Sequence, residues 1–147
     1  MKRIIFYILI IFLGINNLIA QNNSSVVDIT ITNIENVKGN INIVVYRNAD
    51  EYESRKVFKK VVLSKSKLKN ASLRYKLKLP PNMYGIAVVD DENSSGEIDK
   101  NFIGMPTEGF GFSNYYHTAM SKPKFDSFKF VLKKNETKKV KIKIRYL

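Results

Sequence analysis

One stretch of the 147-residue chain holds most of the side chains that could do chemistry. Asp91, Asn93, Ser95, Gly96 and Asp99 fall on the spacing D-x-N-x-S-G-x-x-D. That spacing is the opening of a calcium loop of the EF-hand kind. Oxygen-bearing side chains at alternate positions converge on one hard cation, and the glycine permits the sharp turn. Glu97 would offer its backbone carbonyl, Ile98 would turn inward to the core, and Asp99 would bind directly or through water. The bidentate acid that such a loop ends on is absent, because Phe102 stands at that position. Glu108 is the acid placed to reach in from downstream, as is Asp90 from upstream. No flanking helices are expected, since a strand precedes the loop. The competing reading of the same residues is a polar turn with solvated carboxylates and no metal.

Charge sets this segment apart. Residues 90–108 contain six of the 13 acids and a single base, Lys100. Like charges so close together destabilise one another unless a cation or basic partners neutralise them. The downstream run from Asn101 to Asn114 carries glycines at 104, 109 and 111. Its spacing fits neither a P-loop nor a dinucleotide fingerprint. The glycines let the backbone turn while Phe102, Phe110 and Phe112 pack on a sheet. Alternatively, Phe110, Phe112, Asn114 and Tyr115, with Tyr116 beside them, form a ligand-binding face. A hydrolase would need His117 with Ser113, or Asp91 with Glu108. No motif orients the lone histidine, so an enzyme is the less favoured reading.

The elements that must position these residues are strands. Val27, Ile29 and Ile31 alternate with polar residues, as do Ile41, Ile43 and Val45 after the Lys38-Gly39-Asn40 turn. Leu73, Tyr75, Leu77 and Leu79 alternate with Arg74, Lys76 and Lys78. Val140, Ile142, Ile144 and Tyr146 alternate with four bases. Each pattern predicts a strand with one buried face. Residues 84–89 are nearly all apolar and suit a central strand, and 128–132 reads as another. Residues 57–63 are ambiguous. A short helix over residues 49–58, capped by Asp50, is compatible with the pattern. The segment 90–123 shows no convincing alternation and reads as a long loop, a length that usually marks function. About seven short strands predict an all-β antiparallel β-sandwich.

Outside the fold, Met1-Lys2-Arg3 followed by the apolar run 4–15 and Ala20 has the layout of a secretory signal peptide. The expected division is a signal at 1–20 and one β-sandwich domain at 21–147. The apolar run is short for a membrane span, so none is expected after signal removal. The expected location is extracytoplasmic, periplasmic or secreted. The absence of cysteine excludes disulfides, thiolate metal sites and cysteine nucleophiles, and a single histidine excludes a multi-histidine metal centre.

The formal charge of +12 invites a nucleic-acid reading. Residues 55–78 hold ten bases and no acid, and residues 122–147 hold ten bases and two acids. The lysines alternate along strands, as on a solvated outer face. An extracytoplasmic protein rarely meets nucleic acid. Anionic glycans or lipopolysaccharide phosphates are the more plausible partners for these faces. Calcium is the one cofactor the residues suggest.

The run from Leu79 through Asn114 resembles the family of secreted bacterial proteins catalogued as domain of unknown function (DUF) 2141. That family carries L-P-x-G-x-Y-A entering a strand, then an acidic D-x-N-x-N-G-x-x-D loop, then G-x-P-x-E-G-Y-G-F-S-N. Here these stand as Leu79-Pro80 with Tyr84-Gly85, as Asp91 to Asp99, and as Gly104 to Asn114. The later P-x-F-x-x-A-x-F is matched by Pro123 to Phe130, and the early K-G-x-I/V-x-V by Lys38 to Ile43. Asp90 stands where the family often has His, Ser95 replaces the usual Asn before Gly96, and Asn82-Met83 replace the expected Gly turn. The resemblance implies a secreted β-sandwich of immunoglobulin or transthyretin-like type. It implies no activity, which leaves an envelope module for binding or structure as the functional expectation.

Overall fold

The computed structural model describes residues 25–96 and 106–147. The expected signal segment therefore lies outside the described residues, as do Glu97, Asp99 and Phe102. No helix among the described residues is long and apolar enough to cross a membrane.

Eight strands form two sheets. They are β1 (Ser25–Thr32), β2 (Asn40–Tyr46), β3 (Lys59–Ser64), β4 (Ser72–Leu79), β5 (Asn82–Asp91), β6 (Gly109–Phe112), β7 (Lys129–Leu132) and β8 (Thr137–Lys143). One sheet has the order β4-β1-β8. The other runs β3-β2-β5, and β5 then pairs with β6 through its C-terminal half and with β7 through its N-terminal half. The alternating apolar residues of both sheets meet in one core. Val27, Ile29, Ile31, Ile41, Ile43, Tyr84, Ile86, Val88, Val140 and Ile142 are all buried there. The expected all-β sandwich is the observed one.

Three details differ from the sequence expectation. First, β1 and β8 run parallel, although β1 and β4 are antiparallel as expected. The chain reaches β8 from the opposite sheet, so no tight hairpin dictates its direction. Second, the helix is shorter than the residue pattern allows. Helix α1 covers Ala49–Glu53 and is capped by Asn48, whose side chain accepts from the Glu51 N–H at 2.8 Å. Arg55, with φ of 57°, turns the chain out of helical geometry. Third, the segment read as one long loop contains β6. Its sequence, Gly-Phe-Gly-Phe, is itself a period-two pattern, with glycine in the places where an apolar side chain was sought.

The glycines of β6 face the sandwich interior, where β8 and the chain beyond it come close. A Cβ on Gly111 would lie 2.7 Å from Ile142 Cγ2 and 2.9 Å from Lys143 O. Phe110 and Phe112 point the other way. With Tyr46, Tyr52, Phe125 and Phe128 they build a second aromatic cluster on the outer side of the larger sheet. The Phe112 and Tyr52 rings both approach Phe128 at 5.0 Å between centroids.

Candidate functional site

Two places bring sequence-selected residues together: the acidic turn after β5, and a groove on the outer face of the three-stranded sheet.

At the end of β5, alternate side chains face opposite sides of the sheet. Asp90 points into the sandwich, not toward the turn. It forms an ion pair with Lys65, and both side chains are completely buried. The Tyr146 hydroxyl donates to the other Asp90 oxygen at 2.6 Å. Burial first, and that hydrogen bond second, push the Tyr146 phenol well above its ordinary value, so it stays a donor. The expectation that Asp90 could reach into the turn is corrected by this pairing.

Asp91 faces outward and is the hub of the turn. Its Oδ1 accepts from the Ser95 N–H at 2.9 Å. Its Oδ2 accepts from the Gly96 N–H at 2.9 Å and from Asn42 Nδ2 at 2.8 Å. The Ser95 N–H is shared with Asn93 Oδ1, also at 2.9 Å. Gly96 has φ of 85°, the left-handed geometry that this wrap requires. Glu108 does reach the turn, since its Oε1 accepts from the Glu92 N–H at 3.1 Å. The turn is further held by Asn36 Nδ2 on Glu92 Oε1, Asn40 Nδ2 on Ser94 Oγ and Lys60 Nζ on Gly96 O. Gly39 lies directly beneath it, where a Cβ would meet Asp91 O.

Of the expected metal ligands, Asp91, Asn93, Ser95 and Glu108 thus share one turn, and Glu97 and Asp99 lie outside the described residues. Among the described residues, no three His, Cys, Asp or Glu side chains assemble as a metal-holding group. Sequence reasoning missed Asn42, an apparently ordinary outward residue of β2. It is 2% exposed, and its Oδ1 has no hydrogen-bond partner. A buried orphan acceptor costs about 1–3 kcal/mol.

The groove is lined by Thr30, Thr32, Asn114, Tyr115, Tyr116, Lys141 and Lys143 and has a volume of about 540 Å³. Asn114, with φ of 53°, docks the chain after β6 onto β8. Its N–H donates to Lys141 O at 2.8 Å and its Oδ1 accepts from the Lys141 N–H at 2.9 Å. Tyr116 is 47% exposed, and Lys143 Nζ sits 5.0 Å from its ring centroid. Asn114 and Tyr115 therefore line the groove. Phe110 and Phe112 are buried in the aromatic cluster instead, which is the packing alternative.

The groove opens at one end of a basic surface. Ladder register places Arg74, Lys76 and Lys78 of β4 and Lys139, Lys141 and Lys143 of β8 on either side of β1, with all six exposed. Asp28 is the acid between them on β1, and it pairs with Arg74 at 3.4 Å. The lysine alternation was visible in the sequence. That two distant lysine-rich strands flank the same neighbour was not.

Ser113 and His117 do not meet as a catalytic pair. Ser113 Oγ donates to Phe128 O at 2.5 Å and accepts from the Ile86 N–H at 3.0 Å. The His117 ring instead contacts Ser121 O and the Tyr115 hydroxyl.

No curated protein and no solved structure matches the chain. A family model, described as an uncharacterized protein conserved in bacteria, matches residues 29–141. That match spans both sheets, the acidic turn and the groove, and the chain belongs to the DUF2141 family.

Proposed function

We propose that this chain is an envelope binding module that holds anionic glycans on the outer face of its three-stranded sheet. The observation that carries the reading is the register of that face, with six cations flanking β1 and a tyrosine-lined groove at one end. Bases two residues apart on one strand stand about 7 Å from each other. Such a row is self-repulsive alone, and is relieved by a polymer that presents repeated carboxylates, sulfates or phosphates. Tyr116 offers an exposed ring on which a sugar can stack, and Thr30, Thr32 and the Asn114 amide offer hydrogen bonds to its hydroxyls. The signal-like N-terminus supports an extracytoplasmic setting, where such polymers occur.

Binding to an immobilised anionic polysaccharide, with neutral dextran as control, tests the reading. Retention should weaken steeply with salt. Reversing Lys76 and Lys141 to Glu should cost roughly tenfold or more in affinity, given the value of local field to charged partners. Tyr116→Ala should weaken binding without changing the salt slope. Reversing Lys59 and Lys67, which lie off this face, should change little. Equal losses from both charge reversals, or no retention of the wild type at low salt, would sink the idea.

A further inference from the structure

We infer that Lys65 and Asp90 are the two ends of an intramolecular amide cross-link, closed by loss of water with the Tyr146 hydroxyl as the assisting donor. Strand alternation brings the two side chains together. Ladder pairing sets Leu63, Ile41 and Asp90 in one row across β3, β2 and β5. Val61 and Leu63 of β3 pack inward on the core, and Lys65 keeps their parity as it opens a single 3-10 turn, Lys65–Lys67. The Leu68 N–H donates to Lys65 O at 2.9 Å and the Ser66 N–H to Ser64 Oγ at 3.2 Å, which holds that turn closed. Lys65 Nζ is in contact with Asp90 Oδ1, and both side chains are shut off from water. That oxygen nevertheless accepts no hydrogen bond. Nζ donates instead to Asn36 Oδ1, at 3.4 Å. The nitrogen thus lies against the carboxyl group out of donor alignment, placed as a nucleophile is placed.

Desolvation opposes both charges of a buried pair, and moving one proton from the ammonium to Asp90 Oδ1 removes them together. That transfer leaves Lys65 a free amine, which is a nucleophile once it is dry. The amine attacks Asp90 Cγ, and the N–C bond forms as the carbonyl electrons move onto Oδ2. There the Tyr146 hydroxyl, 2.6 Å away, donates to the developing oxyanion. The Glu35 N–H donates to the same hydroxyl at 3.1 Å, which leaves its hydrogen for Asp90. Oδ1 then takes a second proton from Nζ and leaves as water while the carbonyl re-forms at Oδ2. Ammonium and carboxylate become one amide and one water, with no oxidant and no further reactant. Fixed contact between the reacting groups supplies the rate that the same groups lack when free in water. The product ties the end of β3 to β5, the strand on which β2, β6 and β7 all pair. The chain has no cysteine and so no disulfide. Closing a loop by any covalent bond restricts the unfolded chain in the same way.

Intact mass spectrometry of the folded chain, followed by tryptic mapping, decides the matter. The wild type should be one water lighter than its sequence. Trypsin should fail after Lys65 and release residues 61–67 joined to residues 79–100. Tyr146→Phe keeps the ring and removes the donor, so it should close the link roughly a hundredfold more slowly, the usual loss for one oxyanion donor. Lys65→Arg keeps a cation beside Asp90 without the amine and should hold its full mass. Wild-type chain recovered in denaturant before it has ever folded should carry its full mass and lose the water only on refolding. That arm stands even where a variant folds poorly. The inference is overturned if the folded wild type keeps its full mass through prolonged incubation. It is equally overturned if a lighter chain is still cut after Lys65, which marks an aspartyl succinimide instead, or if Lys65→Arg loses the same water.

Discussion

Lys65 shows how much one residue can hold. It lies in a lysine-rich stretch that reads as uniformly solvated, yet its side chain is fully buried against Asp90. A charge in that position is stable only while its partner remains. Lys65→Met should therefore destabilise the fold by about 3–5 kcal/mol in urea titration, because Asp90 is left buried and unpaired. Adding Asp90→Asn should recover part of that loss, since the neutral amide still meets the Tyr146 hydroxyl. A single variant with wild-type stability would contradict the pairing. Asp90 and Asp91 are neighbours in sequence with identical chemistry, and strand alternation sends one to a lysine and the other to a ring of amide donors. Composition cannot separate two such residues, and only the direction of each Cβ does so.

Among the elements, the strands with one apolar face were legible because burial repeats every second residue. Strand β6 escaped because its inward positions are glycine. There the partner backbone fills the space that a side chain would occupy, so an absence of apolar side chains marks close packing rather than a loop. Gly111→Ala should cost about 1–3 kcal/mol by calorimetry, because the new methyl meets Ile142 Cγ2 and Lys143 O in a filled interior. Unchanged stability would mean that β6 sits farther from β8 than described. The outward phenylalanines of β6 show the reverse case. Their spacing allowed either packing on a sheet or a binding face, and they are covered by α1 and by the segment around Phe125 to Phe128. Nothing near them in sequence announces that cover.

For the whole molecule, charge is organised by topology. The acidic turn lies on the larger sheet and the six-cation face belongs to the smaller one. Self-repulsion of that face should make the melting temperature rise as ionic strength increases, before any ligand is added, because screening acts over about 8–10 Å near physiological salt. Reversing Lys76 and Lys141 should flatten this dependence, and a melting temperature indifferent to salt in the wild type would count against a repulsive face. The parallel pairing of β1 with β8 creates the face, bringing the N-terminal and C-terminal strands into one sheet.

By itself the sequence determined the all-β class, the buried members of most strands, the family and the acidic turn, because each is written in local periodicity or local spacing. Only the tertiary structure decided which lysine is buried, which aromatics are covered, and that Asn42 joins the turn from a strand 49 residues away. It also decided that bases from two distant strands form one surface. The physical reason is common to all of these. Pairing between strands distant in sequence is chosen by the packing of the entire core, and a site assembled across such pairs has no contiguous trace in the chain.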